Sequence, residues 1–139
     1  KKKFKKIDLI LAPAMGGIVI GYEIGKQLKK ETIFCERVNG KFKLRRGFNI
    51  KKKSRILIVE DVITTGKSSL ECNKLIKKYN GKLVGYACII DRSNTKSLKI
   101  KNNKIISQIK IDIPSYTYKQ IPENLKKIPI TKPGSRHLK

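Results

Sequence analysis

The chain has 139 residues, 34 of them Lys or Arg and 10 Asp or Glu, for a formal net charge of +24. That length suits one domain with a real core and is too short for two full-sized domains. No apolar run approaches the roughly 18 residues of a membrane span, and the opening KKKFKK followed by a short apolar segment is not a secretory signal.

The apolar residues fall in compact blocks, so the composition is not that of a disordered chain. Residues 7–12 are a short apolar run ending at Pro13, which predicts a buried strand. Gly16 and Gly17 open a segment with Ile18, Ile20, Tyr22, Ile24 and Leu28, a helix to about Lys30. Residues 32–37 predict a second strand. Residues 38–53 are polar, basic and Gly-containing, and predict a long loop with some extended pairing. Residues 55–59 (RILIV) predict a third strand, apolar on both faces. Residues 60–66 predict a loop and 67–79 a helix, closed by Asn80-Gly81. Residues 82–90 and 105–113 predict a fourth and a fifth strand, the last ended by Pro114. The tail that follows is broken into short pieces by Pro122, Pro129 and Pro133.

This order predicts an α/β fold: an open, mostly parallel five-stranded sheet with helices on both faces. One domain spans residues 1–139, with a tail over about 114–139. Ligands of such sheets bind beyond the carboxyl ends of the strands. The strand ends at residues 12–17 and 60–66 stand out there. The chain does not begin with Met and its first strand starts almost at once, so an upstream piece is expected to be missing.

The charge suggests a nucleic-acid partner, but its kind argues against one. There are 28 Lys and 6 Arg, with 22 Ile and 3 Ala. Base readout and bidentate phosphate grip favour Arg. Lys and Ile have A/T-rich codons, so an A/T-biased genome writing Lys over a tolerant surface accounts for the excess. Nucleic acid is therefore not expected as a partner. Cys35, Cys72 and Cys88 are odd in number and contain no CxxC pair, which disfavours zinc. They predict reduced, mostly buried thiols in a cytoplasmic protein. The single His137 excludes a His-based triad or metal site.

Glu60 and Asp61 directly follow the apolar strand RILIV. Adjacent carboxylates there meet desolvation and mutual repulsion, so a purely structural sequence would seldom place them so. Carboxylates suit vicinal sugar hydroxyls, or a metal that carries a phosphate. Thr64-Thr65-Gly66-Lys67-Ser68 then opens a helix with hydroxyls and free backbone N–H groups, an anion cradle. Helix capping alone would explain the second stretch but not the combination. Together they ask for a ribose carrying a phosphate. A Walker A loop is dismissed by spacing, since its first Gly would fall at Asp61. Gly16, Gly17 and Gly21 do not fit GxGxxG.

Residues 56–68 (ILIVEDVITTGKS) resemble the signature of type I phosphoribosyltransferases that binds 5-phosphoribosyl 1-pyrophosphate (PRPP). Residues 12–17 (APAMGG), 36–48 (ERVNGKFKLRRGF), 91–93 (DRS) and 132–136 (KPGSR), in this order, resemble the orotate phosphoribosyltransferases. The likeness runs from about Asp8 to Arg136.

The resemblance implies a set of roles. Glu60 and Asp61 would hold the ribose hydroxyls of PRPP. Val62 and Ile63 would lead into the cradle, where Thr64, Thr65, Gly66, Lys67 and Ser68 wrap the 5′-phosphate. Ala14, Met15, Gly16 and Gly17 would face the pyrophosphate, in a loop that in this superfamily often contains a non-proline cis peptide. Thr64 and Arg92 match positions that contact orotate, and an Arg suits the carboxylate of that base. Residues 37–50 match a mobile catalytic loop whose Arg37, Lys41, Lys43, Arg45 and Arg46 would close over the pyrophosphate, in the neighbouring subunit of a homodimer. Asp61 and Lys41 would be the catalytic residues. Mg²⁺ is the implied cofactor, held mainly by PRPP and not directly by the protein. Orotate N1 would attack the ribose C1 as pyrophosphate leaves, with cations aimed at the developing charge.

Two departures from the family pattern stand out. The pyrophosphate-loop Lys of some members falls at or near Gly16, and no His is available to the mobile loop. An upstream hood of roughly sixty residues that helps bind orotate is also expected to be absent, and with it much of the turnover. Two other readings remain open at this stage. One is a phosphoribosyltransferase for another base. The other is a PRPP-fold regulator that binds nucleic acid, although no altered catalytic loop or added DNA-binding domain is visible.

Overall fold

A computed structural model of the chain describes residues 4, 6–94, 98–101, 104–114 and 116–129. Strand β1 (Leu9–Pro13) leads into helix α1 (Gly17–Leu28), followed by β2 (Glu31–Val38), β3 (Lys41–Leu44), β4 (Arg55–Ile63), α2 (Lys67–Lys78), β5 (Lys82–Asp91) and β6 (Ile105–Lys110). A 3-10 turn (Tyr118–Gln120) and the short helix α3 (Glu123–Lys126) end the described chain. The segment 132–136 lies outside the described residues.

The strands form one sheet in the order β3-β2-β1-β4-β5-β6. All pairings are parallel except β2 with β3. The chain leaves β1 in one direction to reach β2 and arrives at β4 on the other side. The topological switch point therefore lies between β1 and β4, where such sheets bind ligands.

The five expected strands are present, and β3 is a sixth. Val38 pairs with Lys41 across Asn39-Gly40. Both turn residues have positive φ, 51° and 74°, as a tight two-residue hairpin requires. Phe42 is buried and Leu44 half-buried, while Lys41 and Lys43 are exposed, so period-2 alternation sustains the strand. A second difference concerns β4. It does not stop at Val59 but stays paired with β5 as far as Ile63↔Asp91, so Glu60 and Asp61 stand on the strand rather than in a loop. β6 ends at Lys110, earlier than expected.

Alternation along the strands builds two apolar layers. Leu9, Leu11, Ile33, Ile56 and Ile58 pack with Cys72, Leu75 and Ile76 of α2. Ile10, Leu57 and Val59 face Ile20 and Ile24 of α1 on the other side. Each fully buried Ile or Leu contributes about 1.5–3 kcal/mol. Helix α1 reaches the sheet through small residues. A β-carbon on Gly21 would stand 2.8 Å from that of Ala12, and one on Gly25 would stand 1.9 Å from Thr32 Oγ1. Gly17, Gly21 and Gly25 are the buried residues of α1, which leaves Val19 and Tyr22 exposed. At the far end of the sheet Arg55 grips Asp8 with two side-chain hydrogen bonds, of 2.8 and 2.6 Å. That grip lowers the Asp8 carboxyl to about 2.

Candidate active site

Strand alternation sends the two adjacent carboxylates to opposite faces of the sheet. Glu60 points toward α2, is buried, and accepts a short hydrogen bond from the Ser69 hydroxyl. Asp61 points toward the loop before α1. A β-carbon on Gly16 would lie 2.0 Å from its Oδ2, so a side chain there would displace the Asp61 carboxylate from this position. Asp61 is exposed, and its Oδ1 accepts the Val62 N–H at 2.8 Å. The acids thus leave the end of β4 on opposite faces of the sheet, although both border the same cleft. This relieves the repulsion their adjacency suggests.

Gly66 caps the start of helix α2 at a φ of +68°, a conformation natural to glycine. No side chain caps its first turn by way of Gly66, and the Thr65 hydroxyl reaches Lys67 N–H only at 3.4 Å. The leading N–H groups and the positive end of the helix dipole remain for an anion.

A cleft of about 440 Å³ runs along this strand end. It gathers Glu60, Asp61, Val62, Ile63, Thr64, Thr65, Gly66, Lys67 and Ser68 with Arg37, and adds Gly40, from within the expected loop 37–50, and Glu71, which the sequence reading did not name. Its volume lies in the ordinary range for small-molecule sites. Arg37 is held from three sides. Its Nη1 donates to Gly40 O at 2.7 Å, its Nη2 meets Glu71 Oε2 at 2.7 Å, and its guanidinium lies 4.2 Å from the Phe42 ring centroid.

The remaining expected residues distribute around the cleft. The Ala14–Met15 peptide is cis, as the resemblance implies, and Ala14 N–H donates to Cys35 O at 2.8 Å. Gly16 abuts Asp61, and a β-carbon on Gly17 would lie 2.8 Å from Val59 O, so this loop adjoins the end of β4. Lys41 and Lys43 do not line the main cleft. They border a neighbouring cavity of about 570 Å³ between β3 and α2. Arg45 and Arg46 each stand 3.5 Å from Glu36 Oε1, outside the main cleft. Arg92 also lies outside its lining, but its N–H donates to Ile63 O at 2.8 Å, fixing it beside the strand end that carries Thr64.

Glu71 had a readable signal. It follows Lys67 by four residues and Ser68 by three, on the helix face that carries the cradle. Ser69 had none beyond its place in the first turn of α2.

A model of the phosphoribosyl transferase domain matches residues 1–119. The orotate phosphoribosyltransferase of Parvibaculum lavamentivorans is 46% identical over 132 residues, covering 95% of this chain and 67% of the relative. That of Phenylobacterium zucineum is 44% identical over 133 residues, covering 96% and 68%. Among solved structures, an adenine phosphoribosyltransferase superposes with a TM-score of 0.66 at 19% identity, covering 76% of this chain and 69% of that one. The last likeness shows the fold alone. The chain belongs to the phosphoribosyl transferase family and, within it, to the orotate phosphoribosyltransferases.

Proposed function

We propose that the cleft binds PRPP and orotate and that the chain transfers the phosphoribosyl group to orotate N1. The products are orotidine 5′-monophosphate and pyrophosphate, a step of de novo pyrimidine biosynthesis. The observation that carries this reading is the juxtaposition of an uncapped α2 N-terminus with a carboxylate on each side of the β4 end, in a chain whose relatives are orotate phosphoribosyltransferases.

In this reading Thr64 to Ser68 hold the 5′-phosphate with backbone N–H groups and hydroxyls. Asp61, exposed beside the 14–17 loop, meets the ribose hydroxyls. Glu60, buried and bonded to Ser69, fixes the end of the strand and the cradle together. Ala14 to Gly17 present backbone to the pyrophosphate. Arg92 takes the orotate carboxylate as a planar, bidentate donor, with Thr64 beside it.

Pyrophosphate departs as C1 gains positive character, so the barrier depends on cations near the leaving oxygens. Lys41 supplies one of them. It follows Gly40, which lines the cleft, and sits at the tip of the β2–β3 hairpin. Lys43, Arg45 and Arg46 stand further along that hairpin.

Among the described residues no three His, Cys, Asp or Glu side chains converge as a ligand set. Asp61 offers one exposed hard carboxylate, which fits Mg²⁺ carried in on substrate phosphates. Mg²⁺ so bound would neutralise charge on the leaving pyrophosphate.

The working unit in this reading is a cytoplasmic homodimer in which the hairpin loop reaches the neighbouring site. Its support is an apolar stripe beside the site, with Met15 80%, Val19 79% and Tyr22 63% exposed. No helix of the described residues is long and apolar enough to cross a membrane.

The test follows orotate absorbance with PRPP and Mg²⁺. Asp61→Asn and Lys41→Ala are each expected to lower kcat about 100-fold or more. Unchanged rates in both variants would refute the assigned roles.

A further inference from the structure

The resemblance places residues 45–48 in a mobile loop, yet the structure folds them tightly against β2. Phe48 N–H donates to Arg45 O at 3.0 Å, and the turn between them passes through positive φ at Arg46 (57°) and Gly47 (77°). Such a φ is natural to Gly but not to Arg, so neighbouring contacts must hold Arg46 there. The Phe48 ring packs edge-on to Phe34 of β2, with centroids 5.0 Å apart. The Arg46 guanidinium lies 5.8 Å from the centroid of the same Phe34 ring.

Glu36 joins these contacts. Arg45 Nη1 and Arg46 Nε each stand 3.5 Å from its Oε1. That oxygen is buried and accepts no aligned hydrogen bond, so the two guanidiniums offset its charge. A buried carboxylate oxygen without them would be costly. Two cations that share one oxygen lie close together, and the cluster as a whole stays positive. Both arginine side chains are more than half exposed, 59% and 62%. A guanidinium has five N–H donors, so donors remain for an anion.

Register and alternation place this cluster. Ile33 and Cys35 pack in the α2 layer, so Phe34 and Glu36 turn to the α1 face. Val59 belongs to the α1 layer, and Asp61, two residues on, turns the same way to meet Gly16. Cys35 pairs with Pro13, and its carbonyl accepts the Ala14 N–H at 2.8 Å. Glu36 therefore follows the residue that anchors the start of loop 14–17, on the sheet face that carries Asp61. Strand β3 runs back from this end of the sheet, since Lys43 pairs with Glu36 and Leu44 with Cys35. The backbone of Arg45 and Arg46 comes after Leu44, so the Glu36 carboxylate draws their guanidiniums forward toward the strand end.

We propose that Glu36 is a positioning residue that gathers Arg45 and Arg46 into one cation pair on the loop 14–17 side of the sheet, where the pair takes the pyrophosphate group of PRPP. This rests on the reading of loop 14–17 as the pyrophosphate loop. The reach toward a neighbouring subunit then falls to the hairpin tip at Lys41. It also gives an acid near an anion site a reason to be there: without Glu36, the two arginines would repel each other and spread.

Three roles for Glu36 give three different results. A mere nearby charge repels the anion, so Glu36→Gln would tighten pyrophosphate binding. A mere structural anchor would lower the urea midpoint and leave pyrophosphate affinity alone. A positioning residue weakens pyrophosphate binding as the arginines separate.

The experiment measures binding of pyrophosphate with Mg²⁺, and of ribose 5-phosphate, to the full chain by calorimetry. Glu36→Gln, Arg45→Ala and Arg46→Ala should each weaken pyrophosphate about tenfold, the loss of one charge-assisted contact. Ribose 5-phosphate affinity should change by less than about twofold. In a chain that already carries Arg45→Ala and Arg46→Ala, Glu36→Gln should weaken pyrophosphate no further, because its partners are gone. In the reverse reaction, from orotidine 5′-monophosphate and pyrophosphate, Glu36→Gln should raise KM for pyrophosphate more than it lowers kcat. Glu36→Asp keeps the charge but not the reach, so it should also weaken pyrophosphate, and it decides the matter if Glu36→Gln fails to fold.

Unchanged or tighter pyrophosphate binding in the Glu36 variants would overturn the inference. So would an equal loss of ribose 5-phosphate, which marks general damage to the site. A wild-type chain that does not bind pyrophosphate would overturn the reading of loop 14–17 itself, a separate outcome.

Discussion

Asp61 and Gly16 are in such close contact that a β-carbon on the glycine would stand 2.0 Å from the Asp61 Oδ2. This relationship joins the end of β4 to the loop after β1 across the switch point of the sheet. Any side chain at position 16 must push the carboxylate aside. Gly16→Ala is therefore expected to lower kcat/KM for PRPP about 100-fold through misplacement of Asp61, with the thermal midpoint little changed. Steady-state kinetics with orotate absorbance, alongside a melting curve, checks both halves.

Ser69 donates to the buried Glu60 carboxylate. Ser69→Ala removes a hydroxyl donor from a charged acceptor that water cannot easily reach. The expected loss is about 1–3 kcal/mol of stability, read as a lower urea midpoint with an unchanged slope. An unaltered midpoint would show that the hydroxyl does not stabilise Glu60.

Gly66 opens α2 at a φ of +68°, and a β-carbon there would meet the Ile100 side chain at 2.9 Å. Gly66→Ala combines a left-handed backbone with that crowding. We expect about 1–2 kcal/mol of destabilisation and weaker ribose 5-phosphate binding, since the first-turn N–H groups shift together. Chemical denaturation and calorimetry test the two effects separately.

The buried thiols make stability sensitive to alkali. Burial pushes Cys88 up to about 12 from 9.0, with the nearby Asp91 charge adding to the shift. Burial likewise pushes Tyr86 up to about 12 from 10.0. Cys72 is raised too, first by its hydrogen bond with Cys35, whose Sγ lies 3.4 Å away, and then by burial. In each case the folded chain keeps a proton that the unfolded chain gives up. The stability is therefore fully present below about pH 9 and is lost as pH rises toward 12. The urea midpoint should fall between pH 8 and pH 10.5, and Cys88→Ala should flatten that slope.

Much of the architecture was legible because Ile, Leu and Val fall in blocks the length of strands, bounded by Gly and Pro. The site was legible too, because acids and small hydroxyl residues interrupt an apolar strand end at residues 60–68. What escaped had physical causes. The lysines of β3 hid a four-residue strand, although Asn39-Gly40 is a strong hairpin signal. Glu60 and Asp61 looked like loop residues, yet pairing with β5 carries the strand through them. Helix α1 buries a glycine stripe, with Ile20 and Ile24 beside it, and the apolar spacing alone did not say which face is inside. The partners of Arg37 and of Arg45 and Arg46, namely Glu71 and Glu36, lie across the fold or between strands, and no spacing rule reveals such contacts.

The central claim is the identity of the base, because an adenine phosphoribosyltransferase shares this fold. The most direct measurement offers orotate, adenine and hypoxanthine separately to the full chain with PRPP and Mg²⁺, and follows nucleotide formation. The account predicts orotidine 5′-monophosphate from orotate, no nucleotide from either purine, and loss of the orotate reaction in Asp61→Asn. Adenosine or inosine monophosphate formed in the absence of any orotate reaction would contradict it.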